Sequence, residues 1–386
     1  MAANGIRVGM VAGEASGDLL AAHLIAALKA RRSGLEFFGV GGPRMMAQGF
    51  EALFPSESLA VRGYAEALRH YRRISGLRRT LAKQLLDERP ALFIGVDSPD
   101  FNLDLERQLK DAGIPAVHYV SPSIWAWRGW RIRRIARSVS HLLAMFPFEP
   151  ALYEKAGVPV TYVGHPLADM IPLEPDKDGA RTELRLPAAA RVIAMLPCSR
   201  RSELQYMADL FVQTARRLLQ DLPNAHFIFP TASRETRELL EAALRRHRAH
   251  SLPLTLLFGH SHEALAAADL ALVASGTATL EAALFKTPMV IAYRQSPVTW
   301  ALIRHMVYVS YMGLPNILAG EGFVPEFVQD KATPGALANA LLDLVHDPKA
   351  QRAQVEKFRQ IHAILRQDTA EKAASAVLRV LDGAGT

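Results

Sequence analysis

The sequence contains very little cysteine and no long apolar run. Its 386 residues include one cysteine, Cys198, which excludes an internal disulfide framework and makes a reducing cytosol the simplest compartment. No window reaches the ~18 uninterrupted apolar residues of a membrane-spanning helix. The N-terminal residues also lack the apolar length and cleavage site of a signal peptide, since Glu14 and Asp18 interrupt them early. These absences predict a soluble or peripheral protein.

Charged residues are also few, at 22% of the chain against 50% hydrophobic residues, which excludes a disordered or fibrous protein. A chain of 386 residues with this composition predicts two domains, each with its own core. The net charge of +7 indicates an acidic partner, without distinguishing nucleic acid, anionic lipid and phosphorylated substrate. The basic residues cluster, with seven Lys or Arg against one acid in residues 62–83, and five Arg without an acid in 128–137.

Short apolar strands alternate with helical patterns along most of the chain. In the first half, strands are predicted at 6–11, 37–40, 92–96, 116–120, 142–146 and 161–163, with a helix at 19–31. In the second half, strands are predicted at 192–196, 226–229, 254–257, 270–274 and 289–293, with helices at 203–220, 262–268 and in the tail from 335 to 382. This order predicts an α/β protein of two Rossmann-like lobes with parallel sheets facing a central cleft.

The predicted domain boundaries follow from the same alternation. An N-terminal lobe is expected at 1–170 and a C-terminal lobe at 191–345. Between them, residues 171–190 form a proline-rich connector. The last residues, 346–386, are expected to be helices that pack back on the N-terminal lobe or exchange in a dimer.

The segment from Leu270 to Phe285 reads as strand, tight turn and helix. Its turn, Ser275-Gly276-Thr277, would offer unpaired backbone N–H groups and a helix N-terminus to a phosphate or diphosphate. Glu281, one turn into the helix, is placed to accept hydrogen bonds from ribose hydroxyls. The same residues also fit an ordinary turn with Thr277 as N-cap and a solvated Glu281.

A second polar turn, Ser199-Arg200-Arg201, follows the predicted strand 192–196. Guanidinium groups suit phosphate oxygens, although an exposed Arg pair at a helix start is the ordinary alternative. Because both turns end strands of one lobe, they would lie at one rim of the sheet. Two anion-binding turns at one rim match a diphosphate.

Polar residues also follow the strands of the first lobe. Asp97 stands directly after an apolar strand, where a partly desolvated carboxylate can act as a general base, or simply cap the turn before Pro99. Glu14 and Ser16 lie in a segment, Glu14 to Asp18, that could be a loop gripping a sugar or phosphate. That loop is neither a serine nucleophile elbow nor a G-x-G-x-x-G loop, so a nicotinamide dinucleotide is not expected.

No cofactor and no metal are predicted. The histidines at 247, 250, 260 and 262 are close in sequence but have no carboxylate at ligand spacing, and we interpret them as solvated. Asp176 and Asp178 form a D-x-D pattern, yet they lie in the proline-rich connector and not at a strand end.

A basic and aromatic surface is predicted in the first lobe. The segment 64–85 carries, among its basic residues, an aromatic and aliphatic stripe at helical spacing: Tyr64, Leu68, Tyr71, Leu81 and Leu85. A helix with such a stripe can lie on an anionic bilayer, although core packing of such a stripe is common. The three tryptophans at 125, 127 and 130, which stand beside the second Arg cluster, favour a lipid-handling surface. The residues assigned to acceptor or membrane contact are Ser16, Tyr64, Leu68, Tyr71, Arg72, Arg73, Trp125, Trp127 and Arg128.

These motifs closely resemble one family, the lipid-A-disaccharide synthases. The matching stretches, in collinear order over nearly the whole chain, are AGEASGD (12–18), VDSPDFN (96–102), HYVSPSIWAWR (118–128), VGHPLAD (163–169), LPCSR (196–200), ASGTATLE (274–281), LPNILAG (314–320) and PEFVQ (325–329). The resemblance implies a GT-B fold and an inverting, metal-independent glycosyltransferase. It further implies a cytoplasmic protein of Gram-negative bacteria that is peripheral to the anionic inner-membrane surface, with C-terminal elements exchanged in a homodimer.

The resemblance also implies the substrates and the residue roles. The donor would be UDP-2,3-diacylglucosamine and the acceptor 2,3-diacylglucosamine 1-phosphate, joined by a β(1→6) bond in lipid A biosynthesis. Asp97 would deprotonate the acceptor 6-hydroxyl, with Glu14 as a candidate assistant. The nucleotide side would be held by Arg200, Ser275, Gly276, Thr277, Glu281 and Asn316. Cys198 stands where the family usually has Gly.

Two other functions fit part of the sequence. A UDP-sugar epimerase of the same two-lobed scaffold would act on a soluble sugar and would need neither the tryptophans nor the basic stripe. A basic nucleic-acid-binding protein would explain the net charge, but the chain carries no recognised nucleic-acid motif, so no nucleic-acid partner is expected.

Overall fold

The computed structural model describes residues 5–55, 67–304 and 306–383. Contacts divide the chain into two compact units. As far as their residues are described, the first unit comprises Met1–Asp169 with Leu365–Thr386, and the second comprises Met170–Ile364. Each unit contains one parallel sheet, of seven strands in the first and six in the second.

The sheet of the first unit has the strand order β3-β2-β1-β4-β5-β6-β7. Its strands are β1 (Ile6–Ala12), β2 (Leu35–Gly41), β3 (Phe50–Pro55), β4 (Leu92–Val96), β5 (Ala116–Tyr119), β6 (His141–Ala144) and β7 (Val160–Tyr162). Its helices are α1 (Ala15–Arg31), α2 (Pro43–Ala47), α3 (Ala67–Glu88), α4 (Pro99–Asp111), α5 (Ile132–Ser138), α6 (Pro150–Glu154) and α7 (Pro166–Met170), joined by α17 (Thr369–Gly383) from the chain's end. A short 3-10 helix, Gly129–Arg131, precedes α5.

The C-terminal helix α17 completes the core of the first unit. Its buried residues Ala373, Val377 and Leu381 pack in the same apolar cluster as residues of α1 and the central strands. The carboxylate of Asp169 fixes the start of α17, because it accepts backbone hydrogen bonds from residues 367, 368 and 369 at 3.1, 3.1 and 2.7 Å. An acidic group at a helix N-terminus also interacts favourably with the helix dipole.

The sheet of the second unit has the order β10-β9-β8-β11-β12-β13. Its strands are β8 (Arg191–Leu196), β9 (Ala225–Thr231), β10 (Leu254–Phe258), β11 (Leu270–Ala274), β12 (Met289–Tyr293) and β13 (Glu326–Val328). Its helices are α8 (Lys177–Glu183), α9 (Arg201–Asp221), α10 (Arg234–Arg246), α11 (Ser261–Ala267), α12 (Thr277–Leu284), α13 (Pro297–Ile303), α14 (Leu314–Ala319), α15 (Pro334–His346) and α16 (Pro348–Leu365), with a 3-10 helix at Gln329–Lys331.

Every strand expected from the apolar runs is present, within two residues of its predicted ends. Two strands were not predicted. Strand β3 lies at the edge of its sheet and ends in Pro55, and β13 has only three residues, so neither carries a periodic signal. In the stretch predicted as a connector, α8 forms with Asp176 as its cap, whose carboxylate accepts from the Gly179 N–H at 2.9 Å. Within the described residues, no helix combines the length and the apolarity needed to cross a bilayer.

Candidate active site

The turn after β11 has the geometry of an anion-binding turn. Gly276 adopts φ 143° and ψ −164° as the N-cap of α12, and no side chain caps that helix. Gly276 and Thr277 are exposed. The hydroxyl of Ser275 donates to the carbonyl of Met312 at 2.7 Å, which ties the turn to the loop before α14. The start of α12 therefore remains open to an anion.

The second predicted turn lies at the end of the neighbouring strand. Strands β8 and β11 pair in parallel, so the turns that follow them lie at the same edge of the sheet. Ser199, Arg200 and Arg201 are all exposed there. The guanidinium of Arg200 contacts Glu203 at 3.2 Å, but its side chain is 77% exposed and can reorient toward a phosphate. The structure thus brings both predicted anion-binding turns to one rim, as the strand pattern predicted.

Cys198 lies in this turn with φ 137°, a backbone conformation that favours glycine. Burial raises the pKa of its thiol, so the thiol is neutral and unreactive near pH 7.

We therefore expect Cys198→Gly to relieve about 1 kcal/mol of backbone strain and to keep or raise activity. Urea unfolding and initial rates of UDP release would be compared with those of Cys198→Ala, which keeps the strain. A clear loss of activity in the Gly variant alone would contradict this interpretation and give the thiol a role.

Asn316, predicted on the nucleotide side, is fully buried, and its side-chain amide makes hydrogen bonds to other groups of the protein. Its Nδ2 donates to the carbonyl of Val324 at 2.8 Å and to Glu326 at 2.7 Å, while its Oδ1 accepts from the Val324 N–H at 2.9 Å. The Glu326 carboxylate also accepts from the backbone N–H groups of Met312 and Gly313, at 2.7 and 2.9 Å. Asn316 therefore shapes the loop that Ser275 binds. The sequence carried Glu326 in a family motif but gave no sign of this partnership.

In the first unit, the residues around Asp97 come together at adjacent strand ends. Strand β4, which precedes Asp97, lies between β1 and β5. Asp97 is half-buried, and both it and Ser98 adopt left-handed backbone conformations, with φ of 52° and 45°. Glu14 and Ser16 are exposed after β1, and a Cβ at Gly17 would lie 3.6 Å from the Val96 carbonyl. The helix predicted from residue 19 begins at Ala15, so Ser16 lies in the first turn of α1.

Asp18, which the sequence placed in a ligand-gripping turn, has a structural contact. Its buried carboxylate accepts from the backbone N–H groups of Gly42, Arg44 and Met45, each at 3.0 Å. Three hydrogen bonds at the start of α2 use the acceptor capacity that a ligand would need. We therefore interpret Asp18 as a helix cap that joins α1 to α2.

A buried polar cluster lies directly behind Asp97. Asn102 donates from Nδ2 to the Asp97 carbonyl at 2.8 Å, and Asp97 donates its backbone N–H to the Tyr119 carbonyl at 2.8 Å. Further along α4, Glu106 contacts Nδ1 of His118 at 2.6 Å, and both side chains are fully buried. Asp97 is therefore held by its backbone, on top of a buried ionisable pair that the sequence did not reveal.

Trp125, predicted on the acceptor side, is anchored to a buried carboxyl. Its Nε1 donates to Glu149 at 3.1 Å, and Glu149 also accepts from the backbone N–H groups of Met145 and Phe146 at 3.0 and 2.9 Å. The Trp125 ring packs edge-on against Phe146 and Phe148. Burial raises the pKa of Glu149 to about 7, although these hydrogen bonds act to lower it. Sequence reasoning missed Glu149 because nothing local distinguishes it.

The raised pKa of Glu149 predicts a pH-dependent stability. Between about pH 4.5 and pH 7 the folded protein holds a proton at Glu149 that the unfolded chain has lost, so the free energy of unfolding falls as the pH rises through this range and levels off above it. Relative to Glu149→Gln, the wild-type free energy of unfolding should fall by about 3 kcal/mol over this range. Urea unfolding at several pH values tests this. The control is Glu154→Gln, at an exposed neighbouring position, whose free energy of unfolding should change with pH as that of the wild type does.

Trp127 and Arg128 form part of an exposed aromatic and basic surface. The Arg128 guanidinium stacks on the Trp127 ring at 4.0 Å from the centroid. Trp127 is 38% exposed and Trp130 69%. Such exposed indole and guanidinium groups suit a membrane interface.

Part of the predicted basic surface is neutralised by acids of α4. Arg134 and Arg78 contact the carboxylate of Asp104 at 2.7 and 2.8 Å, and the buried Arg131 contacts Asp100. Leu81 and Leu85, the last two residues of the predicted stripe, are buried in the core. This part of the stripe therefore packs in the core and does not face a membrane. Leu68, Tyr71, Arg72 and Arg73 lie in α3, and Tyr64 lies outside the described residues.

One cluster of side chains in the second unit consists of residue types that can bind a metal ion. Glu183, His260 and Glu263 offer three ligand atoms within 4.8 Å of one another, and the first two side chains are exposed. His260 therefore does have carboxylates nearby: Glu263 follows it three residues later, and Glu183 comes from α8, far away in the chain. Exposed groups of this kind are common without an ion, and we assign no metal to it.

Solved structures of other proteins share the fold of this chain. A UDP-GlcNAc 2-epimerase from Neisseria meningitidis bound to UDP-GlcNAc is similar over 98% of this chain and 100% of its own, with a TM-score of 0.64 and 12% identity. WaaG, a glycosyltransferase involved in lipopolysaccharide biosynthesis, is similar over 96% of this chain and 99% of its own, with a TM-score of 0.57 and 13% identity. These likenesses establish the fold, which is the GT-B fold of glycosyltransferases.

Sequence relatives then establish the family. The family model of lipid-A-disaccharide synthetase matches residues 8–380. A lipid-A-disaccharide synthase of Azoarcus sp. (strain BH72) is 58% identical over 98% of this chain and 97% of its own length, and one of Dechloromonas aromatica (strain RCB) is 57% identical over 98% and 99%. The chain therefore belongs to the lipid-A-disaccharide synthetase family and is a glycosyltransferase. The family predicted from the motifs is confirmed.

Proposed function

We propose that this protein transfers 2,3-diacylglucosamine from UDP to the 6-hydroxyl of 2,3-diacylglucosamine 1-phosphate. The proposal joins the family membership to one observation, the two anion-binding turns at the ends of the adjacent strands β8 and β11. A diphosphate leaving group needs such a site, because negative charge develops on it as the glycosidic bond breaks. The epimerase alternative has only a likeness of fold, at 12% identity.

In the proposed reaction, the second unit binds the nucleotide. The start of α12, with Ser275, Gly276 and Thr277, takes the diphosphate, and Arg200 and Arg201 stabilise its developing charge. Ser199 contributes a further donor from the same turn. Glu281 accepts hydrogen bonds from the ribose, and Asn316 acts indirectly by holding the loop that Ser275 binds.

The first unit supplies the base. Asp97 takes the proton of the acceptor 6-hydroxyl while that oxygen attacks C1 of the donor sugar and the bond from C1 to the UDP oxygen breaks, with inversion at C1. Glu14 and Ser16, at the neighbouring strand end, are placed to orient the acceptor. The hydrogen bonds of the Asp97 backbone with Tyr119 and Asn102 fix the point from which its carboxylate projects, which supports efficient proton transfer.

We further propose that the surface around Trp127, Arg128 and Trp130 contacts an anionic membrane, where diacylated substrates reside. Binding to vesicles that contain anionic lipid should weaken several-fold in the double variant Trp127→Ser, Trp130→Ser. Sedimentation with vesicles measures this, and neutral vesicles provide the control. Unchanged binding would show that another surface, for example α3, contacts the membrane.

The exchange of C-terminal elements between two copies of the chain stays a prediction.

Mass spectrometry of a single reaction tests the proposed transfer. The protein is incubated with UDP-2,3-diacylglucosamine and 2,3-diacylglucosamine 1-phosphate in mixed micelles containing EDTA. We expect UDP and a phosphorylated disaccharide, which would also establish that the reaction needs no metal ion. No product from folded protein, together with turnover of a soluble UDP-sugar, would favour the epimerase.

A further inference from the structure

His262 faces Glu281, the carboxylate that is expected to bind the ribose of the nucleotide. Its Nε2 lies 3.5 Å from Oε2 of Glu281, and the two side chains are 41% and 19% exposed. The other face of the imidazole is restrained, because its ring centroid lies 5.2 Å from that of Phe285. Helix α11 thus brings an imidazole to a carboxylate of α12. From the sequence alone, His262 is considered only as a metal ligand and is interpreted as solvated.

The approach of His262 depends on the shape of the preceding loop. Gly259 and His260 both adopt left-handed conformations, with φ of 74° and 55°, so the chain turns sharply between β10 and α11. His260 points to a different carboxylate, Glu263, at 3.6 Å. The two histidines therefore have separate partners, although they are only two residues apart.

The charge state of His262 agrees with this geometry. Its contact with Glu281 raises the pKa of the imidazole, burial opposes that shift, and the charge of Glu263 adds to it. An imidazole that carries a proton on Nε2, whether neutral or charged, can donate from that atom to the Glu281 carboxylate. It therefore restrains one oxygen of Glu281 and leaves the other free to accept from a hydroxyl.

We propose that His262 is a positioning residue that orients the Glu281 carboxylate toward the ribose hydroxyls of the donor nucleotide. This inference rests on the proposed function, because it requires Glu281 to bind ribose. Its consequence is specific to the sugar of the nucleotide. The loss of His262 should weaken only those ligands that carry ribose hydroxyls, since uracil and the diphosphate do not depend on Glu281.

Calorimetric titration with UDP and with 2′,3′-dideoxy-UDP tests the inference. The wild type should prefer UDP, and His262→Ala should weaken UDP binding about fivefold, as expected for a partly exposed charge pair, while dideoxy-UDP binding is unchanged. His262→Gln keeps a donor and should retain most of the preference. His260→Ala, which removes the neighbouring histidine with the other partner, should behave as the wild type. In turnover assays His262→Ala should raise KM for the donor and leave kcat unchanged.

The same titrations separate failure of this inference from failure of the ribose assignment. If Glu281→Gln abolishes the preference for UDP but His262→Ala keeps it, or weakens both ligands equally, His262 has no positioning role. If Glu281→Gln also keeps the full preference, Glu281 does not bind ribose, and the inference falls together with that part of the proposed function. Whether the wild type binds UDP at all is measured in the same titrations and does not depend on either of these results.

Discussion

Replacement of Asp97 by Asn should lower kcat by about three orders of magnitude and leave UDP affinity unchanged. General base catalysis contributes an effect of about this size, and an amide cannot take the proton of the acceptor hydroxyl. Asn tolerates the left-handed conformation of residue 97, so the fold should be kept. UDP affinity is expected to survive because all the residues assigned to the nucleotide belong to the second unit.

This prediction is checked by single-turnover rates and by calorimetric titration with UDP. The control is Asp111→Asn, which changes an exposed carboxylate at the other end of α4 and should behave as the wild type. An Asp97→Asn variant that retains more than a tenth of the wild-type rate would remove Asp97 as the base. A matching loss of UDP affinity would instead indicate that the variant is damaged more widely.

Replacement of Glu106 by Ala should lower the free energy of unfolding by about 3–5 kcal/mol, because it leaves His118 buried without its partner. Both side chains are fully buried and lie 2.6 Å apart. Burial acts to lower the pKa of His118, but the contact with Glu106 outweighs it and the net shift is upward. Gly95, beside His118 on β4, makes room for the pair, since a Cβ there would overlap the Glu106 carboxylate.

Urea unfolding of three proteins tests the second prediction. Glu106→Gln, which keeps the volume and one hydrogen bond to His118, should lose less than half of what Glu106→Ala loses. Glu154→Ala, at an exposed position of α6, should lose less than about 0.5 kcal/mol. A loss below about 1 kcal/mol in Glu106→Ala would show that water or a rearranged His118 replaces the carboxylate.

The rim of each sheet was predictable because it depends on local signals. Apolar runs that end in Asp97 or in Ser275-Gly276 mark strand ends, and the alternation of strands and helices implies parallel sheets. In such sheets the carboxyl ends of neighbouring strands lie at one edge. The sequence therefore predicted that the Ser199 turn and the Ser275 turn would lie together, and the pairing of β8 with β11 confirms it.

The charge pattern was predicted less well. The sequence shows five Arg and no acid in residues 128–137, which suggested a surface of uncompensated charge. In the folded protein Arg131 contacts Asp100 and Arg134 contacts Asp104, which lie 31 and 30 residues earlier in the chain. A count of charges along the sequence cannot detect partners that packing of α4 against α5 brings together.

The sequence by itself determined the class of fold, the family, and the strand ends that carry Asp97 and the two turns proposed to bind an anion. Hydrophobic periodicity and turn residues act over a few positions, and they repeat consistently along this chain. Only the tertiary structure decided which polar groups become partners: Asp18 with the start of α2, Glu106 with His118, Glu149 with Trp125, and His262 with Glu281. The physical reason is that a buried polar group must find a partner wherever packing places one, and that choice depends on residues distant in sequence.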